Sequence, residues 1–153
     1  MRNRDSMTDL ILEAFRLNGR LLVAGDALVA NLGLTSARWQ VLGAIALSPV
    51  PLPVAHIARN MGLTRQAVQR LANEMERGGL VQFGPNPHHQ RAKLVLLTAQ
   101  GKAAYDAAMK RQGPWVSGLA TGLSAAQIET ATATLRRIRQ RLDYQAEPGS
   151  NDD

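Results

Sequence analysis

The chain has 153 residues, 45% of them apolar, and 18 Lys and Arg against 12 Asp and Glu, a formal charge of +6. That length and apolar share suffice for a packed core, and a basic excess of this size favours a polyanionic partner, nucleic acid before an anionic membrane surface. The chain has no cysteine, which excludes disulfides, thiol redox sensing and thiolate metal sites and fits a reducing cytosol.

From Leu10 to Leu32 apolar residues fall at Leu10, Ala14, Leu17, Leu21 and Leu28, with a second line at Ile11, Phe15, Leu22, Val29 and Leu32. This predicts a long helix with a wide apolar stripe, closed by Gly33. Glu13, Arg16 and Arg20 interrupt the segment, so it does not read as a signal peptide. Thr35 or Ser36 offers an N-cap for a second helix carrying Trp39, Leu42 and Ile45 up to Pro49. The apolar stretch from Val41 to Ala58 is broken by Pro49, Pro51 and Pro53 and carries His56, so no membrane span is expected there. A cytoplasmic protein with no membrane partner is the reading.

Val54 to Met61 is a short helix with Val54, Ile57, Ala58 and Met61 on one side, and Gly62-Leu63 is a turn. Thr64 caps a helix running to about Arg77, which Gly78-Gly79 ends. A short helix, a tight glycine turn and a Thr-capped second helix form the helix-turn-helix pattern. The period then changes. Val81 and Phe83 alternate with Gln82, Pro85-Asn86-Pro87 marks a loop, and Lys93 to Leu97 is strand-like, so a β-wing follows the helix. Thr98 opens another helix, with a disturbance expected at Gly113-Pro114. Ser124 and Gln127 form a capping-box pair ahead of Ile128, Ala131, Leu135, Ile138 and Leu142, a coiled-coil-like seam. Glu147 to Asp153 are polar and expected to fray.

The strongest functional signal lies on the Thr64-capped helix. Val68, Leu71 and Met75 at i, i+3 and i+7 face inward, so the opposite face displays Arg65, Gln66, Gln69, Arg70 and Asn73. Arg can fork onto guanine O6 and N7, and Gln or Asn onto adenine N6 and N7. Thr64 and the first backbone N–H groups suit a phosphate, because a helix N-terminus carries partial positive charge. In the wing, Arg91 suits the adjacent minor groove or backbone and Lys93 a phosphate. From His56 to Leu94 there are six formal positive charges (Arg59, Arg65, Arg70, Arg77, Arg91 and Lys93) and two negative (Glu74 and Glu76), a net +4. A solvated helix face is the plainer reading of such residues, but the cap, turn and wing in register argue for double-stranded DNA.

The segments Leu34 to Leu42, Ile57 to Val68, Gly79-Leu80-Val81 and Asn86 to Gly101, in this order and spacing, resemble the MarR (multiple antibiotic resistance regulator) family of winged helix-turn-helix transcription regulators. The resemblance spans about residues 8 to 145. It implies a homodimer with interlocking N- and C-terminal helices, two winged domains on a palindromic operator, and a small aromatic or phenolic effector that weakens DNA binding. The family's wing usually carries an Asp two positions before the arginine that matches Arg91, and here His89 stands there.

His88 and His89 are adjacent in a loop and do not converge on a metal without further ligands; they read as solvated, and no metal or cofactor is expected. Trp39 reads as core before ligand platform. Trp39, His56 and Arg20 are the candidate effector contacts. Arg136, Arg137, Arg139 and Arg141 read as a solvated face of a dimer helix, with a remote DNA-backbone contact the lesser alternative. No catalytic constellation is apparent, so the chain is not expected to be an enzyme.

The resulting expectation is a mainly α single domain, 1–153, with dimerisation helices over 8–33 and 98–145 and a winged helix-turn-helix over 35–97. Its function is that of a ligand-responsive repressor. The alternatives are a winged-helix protein-interaction module and a small-molecule-binding protein or enzyme without specific DNA binding.

Overall fold

The computed structural model of the protein describes residues 1–146, so the terminal segment expected to fray lies outside the described residues. The order is α1 (Arg2–Val29), a 3₁₀ turn (Ala30–Leu32), α2 (Ser36–Ala46), β1 (Leu52–Pro53), α3 (Val54–Met61) and α4 (Arg65–Arg77). Then come β2 (Val81–Gly84), β3 (Leu94–Leu97), α5 (Ala99–Leu119) and α6 (Ala125–Ala146). The fold is mainly α with one small sheet, as the sequence predicts. The chain forms two compact units, Met1–Gly113 and Pro114–Asp153, whose boundary falls inside α5.

In the first unit the core gathers Val29, Val41, Leu42, Ile57, Val68, Met75, Val81 and Val95, all fully buried. α4 buries Val68, Ala72 and Met75, whereas Leu71 is half-buried. The inward stripe is therefore centred on Ala72, one position beyond the expected Leu71. Ala72 is small enough to lie directly against the packed core. α1 joins α2 through Ser36, whose hydroxyl donates to the Leu22 carbonyl (2.7 Å) and whose N–H donates to Asp26 Oδ1 (2.6 Å). Thr35 is the N-cap, accepting from the Arg38 N–H.

Helix α1 begins at Arg2, six residues before the expected start at residue 8. The Ser6 and Thr8 hydroxyls donate to the carbonyls of Arg2 and Arg4, one turn back, and so satisfy local polar groups where the apolar period is absent. The sheet carries a strand not expected from sequence. β1 pairs antiparallel with β3 (Leu52 opposite Val95), and the strand order is β1-β3-β2. A two-residue strand ending in proline has no period to read, and Pro53 is tolerated because β1 is an edge. β2 and β3 pair as the wing, Phe83 opposite Val95 and Val81 opposite Leu97.

A knot of hydrogen bonds fixes the wing's base to α4 and α5. After α4 the Leu80 N–H reaches the Met75 carbonyl and the Gly79 N–H that of Glu76, with Gly79 at φ +79°, so Gly79 rather than Gly78 supplies the left-handed residue of the cap. The Thr98 hydroxyl donates to the Gly79 carbonyl (2.6 Å) and accepts from the Gly101 N–H (3.0 Å), capping α5. A Cβ at Gly101 would overlap the Leu80 carbonyl oxygen, so only glycine allows this approach.

Helix α5 continues through Pro114, so the disturbance expected there amounts to one missing N–H donor rather than a break. In the second unit the capping box of α6 forms in both directions, Gln127 N–H to Ser124 Oγ (3.1 Å) and Ser124 N–H to Gln127 Oε1 (2.9 Å). Ile128, Leu135 and Leu142 of its seam are exposed, and Ile138 is half-buried.

Candidate nucleic-acid interface

With Val68, Ala72 and Met75 turned to the core, the polar residues of α4 face outward. Arg65, Gln66, Gln69, Arg70 and Asn73 are all exposed and line one continuous surface. The Thr64 hydroxyl oxygen accepts the Ala67 N–H (3.1 Å), so the cap is made as expected. Its hydroxyl hydrogen stays free for a phosphate, and the Arg65 and Gln66 N–H groups precede the helix's own ladder.

The face divides into two rows. Arg65, Gln69 and Asn73, spaced at i, i+4 and i+8, share a concave groove with Arg91, Ala92, Lys93 and His89 of the wing, Phe83 of β2, and Pro53, Val54 and Ala55. Gln66 and Arg70 lie outside that groove. The structure thus brings the wing candidates Arg91 and Lys93 together with one row of the helix and leaves the other row on the open side. Gln69 Nε2 donates to Asn73 Oδ1 (2.9 Å), which orders the two amides as a pair.

The groove holds the Arg65, Arg91 and Lys93 cations and no carboxylate. Glu74, the nearest acidic residue along α4, is instead paired with Arg38 of α2 at 3.5 Å. Among the described residues no ion pair involves Arg91. An asparagine orders the wing tip. Asn86 Nδ2 donates to the Ala92 carbonyl (2.8 Å), Asn86 Oδ1 accepts from the His88 N–H (3.0 Å), and the Ala92 N–H reaches the His89 carbonyl (3.2 Å). Both histidines are exposed, as the sequence suggested, but only His89 lines the groove. Sequence reasoning weighed a pH-sensitive phosphate contact from His88 or His89 without favouring it, and it did not single out Phe83 or the start of α3 for this site. Their common signal is the wing's register against α4, which is set by tertiary packing.

The effector candidates fall in different places. Trp39 is half-buried against the core, and Arg20 is exposed on α1. His56 lines an open cleft of about 720 Å³ with Gln40, Leu47, Val50, Asn60 and Met61, and neither Trp39 nor Arg20 is part of that lining. Among the described residues no group of His, Asp and Glu could hold a metal ion, and no helix is long and apolar enough to cross a membrane.

A short helix, a glycine turn and a polar-faced second helix, followed at once by a two-stranded wing, define a DNA-binding transcription regulator of winged helix-turn-helix type. The family model for the MarR family matches residues 32–92. An uncharacterized protein of Mycobacterium tuberculosis is 34% identical over 134 residues, which make up 88% of this chain and 92% of that protein. Two solved structures are each 25% identical to this chain. The M. tuberculosis transcriptional regulator MosR in complex with DNA has a TM-score of 0.71 over 86% of this chain and 96% of that chain. CouR of Rhodococcus jostii bound to p-coumaroyl-CoA has a TM-score of 0.73 over 81% and 87%. The chain belongs to the MarR family, whose members are transcription regulators and not enzymes.

Proposed function

We propose that the protein is a cytoplasmic homodimer that binds a palindromic operator in double-stranded DNA and acts as a ligand-responsive repressor. Each protomer would lay α4 in a major groove and its wing along the adjacent backbone. The observation that carries this reading is the single groove in which Arg65, Gln69 and Asn73 of α4 face Arg91 and Lys93 of the wing with no carboxylate among them. Gln66, Arg70 and the inner row read base edges, while Thr64 and Lys93 anchor to phosphate. Supporting the dimer, α1 exposes Ile11, Leu12, Phe15, Leu17 and Leu21, and the far end of the chain exposes Leu119, Leu123, Ile128, Leu135 and Leu142. Apolar stripes of that extent mark an interface. A small aromatic effector would act by biasing the distance between the two recognition helices, and of the three candidate contacts His56, which lines an open cleft, is the one retained.

Two variants separate reading from anchoring. Arg70→Ala should lose about 1–3 kcal/mol per contact on the operator, and near double that for a dimer on a palindrome, with relaxed preference at particular base pairs. Lys93→Ala should weaken operator and scrambled duplex alike and make the salt slope shallower by about one unit per lost contact. Titrating both variants against a footprinted operator and a scrambled duplex over a salt series is the test. Equal losses for Arg70→Ala together with an operator-only loss for Lys93→Ala would invert the assignment. A wild-type protein that binds neither duplex at low salt would favour a protein-interaction module.

A further inference from the structure

The groove between α4 and the wing contains one polar side chain that the DNA reading has not used. His89 sits at the wing tip, exposed, in the lining that also holds Arg65, Arg91 and Lys93. We propose that His89 is a phosphate-contacting residue of the wing, and that its protonation adds a fourth positive charge to the DNA-facing groove. This rests on the DNA-binding reading above and deepens it.

The position of His89 is built rather than accidental. Its own N–H donates to the Asn86 carbonyl (3.2 Å), its carbonyl accepts the Ala92 N–H (3.2 Å), and Asn86 also binds the His88 N–H and the Ala92 carbonyl. These bonds close the tip into a compact turn that aims residue 89 at the groove and leaves His88 outside its lining.

The electrostatics around His89 have one sign. α4 contributes Arg65, Gln69 and Asn73; the wing contributes Arg91 and Lys93; β1, α3 and β2 contribute Pro53, Val54, Ala55 and Phe83. No carboxylate is among them, and the loop from Gly84 to Lys93 contains no acidic residue. An imidazolium there would have no acidic partner within the groove, so its natural counter-charge is an external anion. The anion already called for by the surrounding cations is a backbone phosphate.

Histidine is the side chain that gains or loses its charge between about pH 5 and 8. A phosphate within this cluster stabilises one more positive charge, so DNA binding and protonation of His89 favour each other reciprocally. Because the contact is to phosphate, the effect is independent of base sequence.

The test uses full-length protein and a random-sequence duplex, titrated over a salt series at pH 5.5 and pH 8.0. For the wild type the slope of log affinity against log salt should be steeper at pH 5.5 by about one unit per protomer, and affinity near 0.1 M salt higher by roughly tenfold per protomer. His89→Ala should remove the difference between the two pH values, and His88→Ala should retain it. His89→Lys should hold the steeper slope at both pH values. The proposal is overturned if the wild type binds duplex with no pH difference, or if the difference survives in His89→Ala. Failure of the wild type to bind duplex at either pH would instead bring down the DNA reading on which it rests.

Discussion

Helices α4 and α6 are both amphipathic, yet they use their apolar stripes in opposite ways. α4 buries Val68, Ala72 and Met75 completely, so its stripe is spent inside the first unit and only its polar face is left to act. α6 has no buried residue among those described, and Ile128, Leu135 and Leu142 are 41%, 42% and 58% exposed. A stripe packed at home fixes a helix so precisely that its other face can serve as a reading surface. A stripe left open is a request for a partner, and in a chain of this kind the simplest partner is a second copy.

The most severe way to break this comparison is to place a charge in the open stripe of α6. Leu135→Asp would bury an unpaired carboxylate in the proposed dimer seam, twice over by symmetry. Dimer affinity should fall by at least about 100-fold, from a cost of about 3 kcal/mol or more. The first unit should stay folded, because none of its core residues lies on α6. Light scattering at micromolar concentration, read beside circular dichroism, checks both halves of that expectation. A wild type that is already a monodisperse, folded monomer would sink the dimer and the reading of α6 with it.

Gly101→Ala probes the other side of the comparison, the knot that sets the wing against α4. A methyl group there overlaps the Leu80 carbonyl oxygen, and the oxygen cannot yield without disturbing its bond from the Thr98 N–H (3.2 Å). Overpacking against backbone should cost about 2–3 kcal/mol and lower the melting temperature by several degrees. DNA affinity should fall with it while the dimer persists. A variant as stable as the wild type would mean that α5 can move away from the wing's base without penalty.

Much of this was legible in the sequence, and what was not has a physical explanation. Thr64, the glycine pair at 78 and 79, and the spacing of Val68 and Met75 marked α4 at both ends and along its face, because caps and a 3.6-residue period are local signals. The early start of α1 was hidden, since Asn3, Asp5, Ser6 and Thr8 carry no apolar period, and the Ser6 and Thr8 hydroxyls bond only to the backbone one turn back. β1 was hidden because two residues have no period at all. The outward face of α4 was legible as a set of residues, but its division into two rows was not. Which row meets the wing depends on how α4 is rotated against α3 and how β2 leaves Gly79, and no local pattern encodes that rotation. The choice between His88 and His89 as the histidine that lines the groove depends on the same packing.

The smallest expected effect concerns the ion pair of Glu74, one of the two acidic side chains of α4, which does not line the groove. Arg38 of α2 and Glu74 of α4 approach to 3.5 Å, with side chains 32% and 38% exposed. That distance exceeds the 2.7–2.9 Å typical of a charge-assisted hydrogen bond, and solvent reaches both groups. Their coupling in a double-mutant cycle to Ala should therefore be only about 0.5 kcal/mol in stability, shrinking further as salt approaches 1 M. The functional consequence should differ in kind between the two single variants. Glu74→Ala removes a negative charge from the DNA-binding helix and should leave duplex affinity equal or higher. Arg38→Ala frees that charge near the reading face and should lower affinity for operator and scrambled duplex together, about two- to fivefold at low salt, an effect that higher salt erases. Coupling above about 2 kcal/mol, or a loss of affinity insensitive to salt, would mean that the pair positions α4 mechanically and does not merely shield the groove. In that case the precision of the reading helix would depend on a surface ion pair as well as on the buried stripe of Val68, Ala72 and Met75.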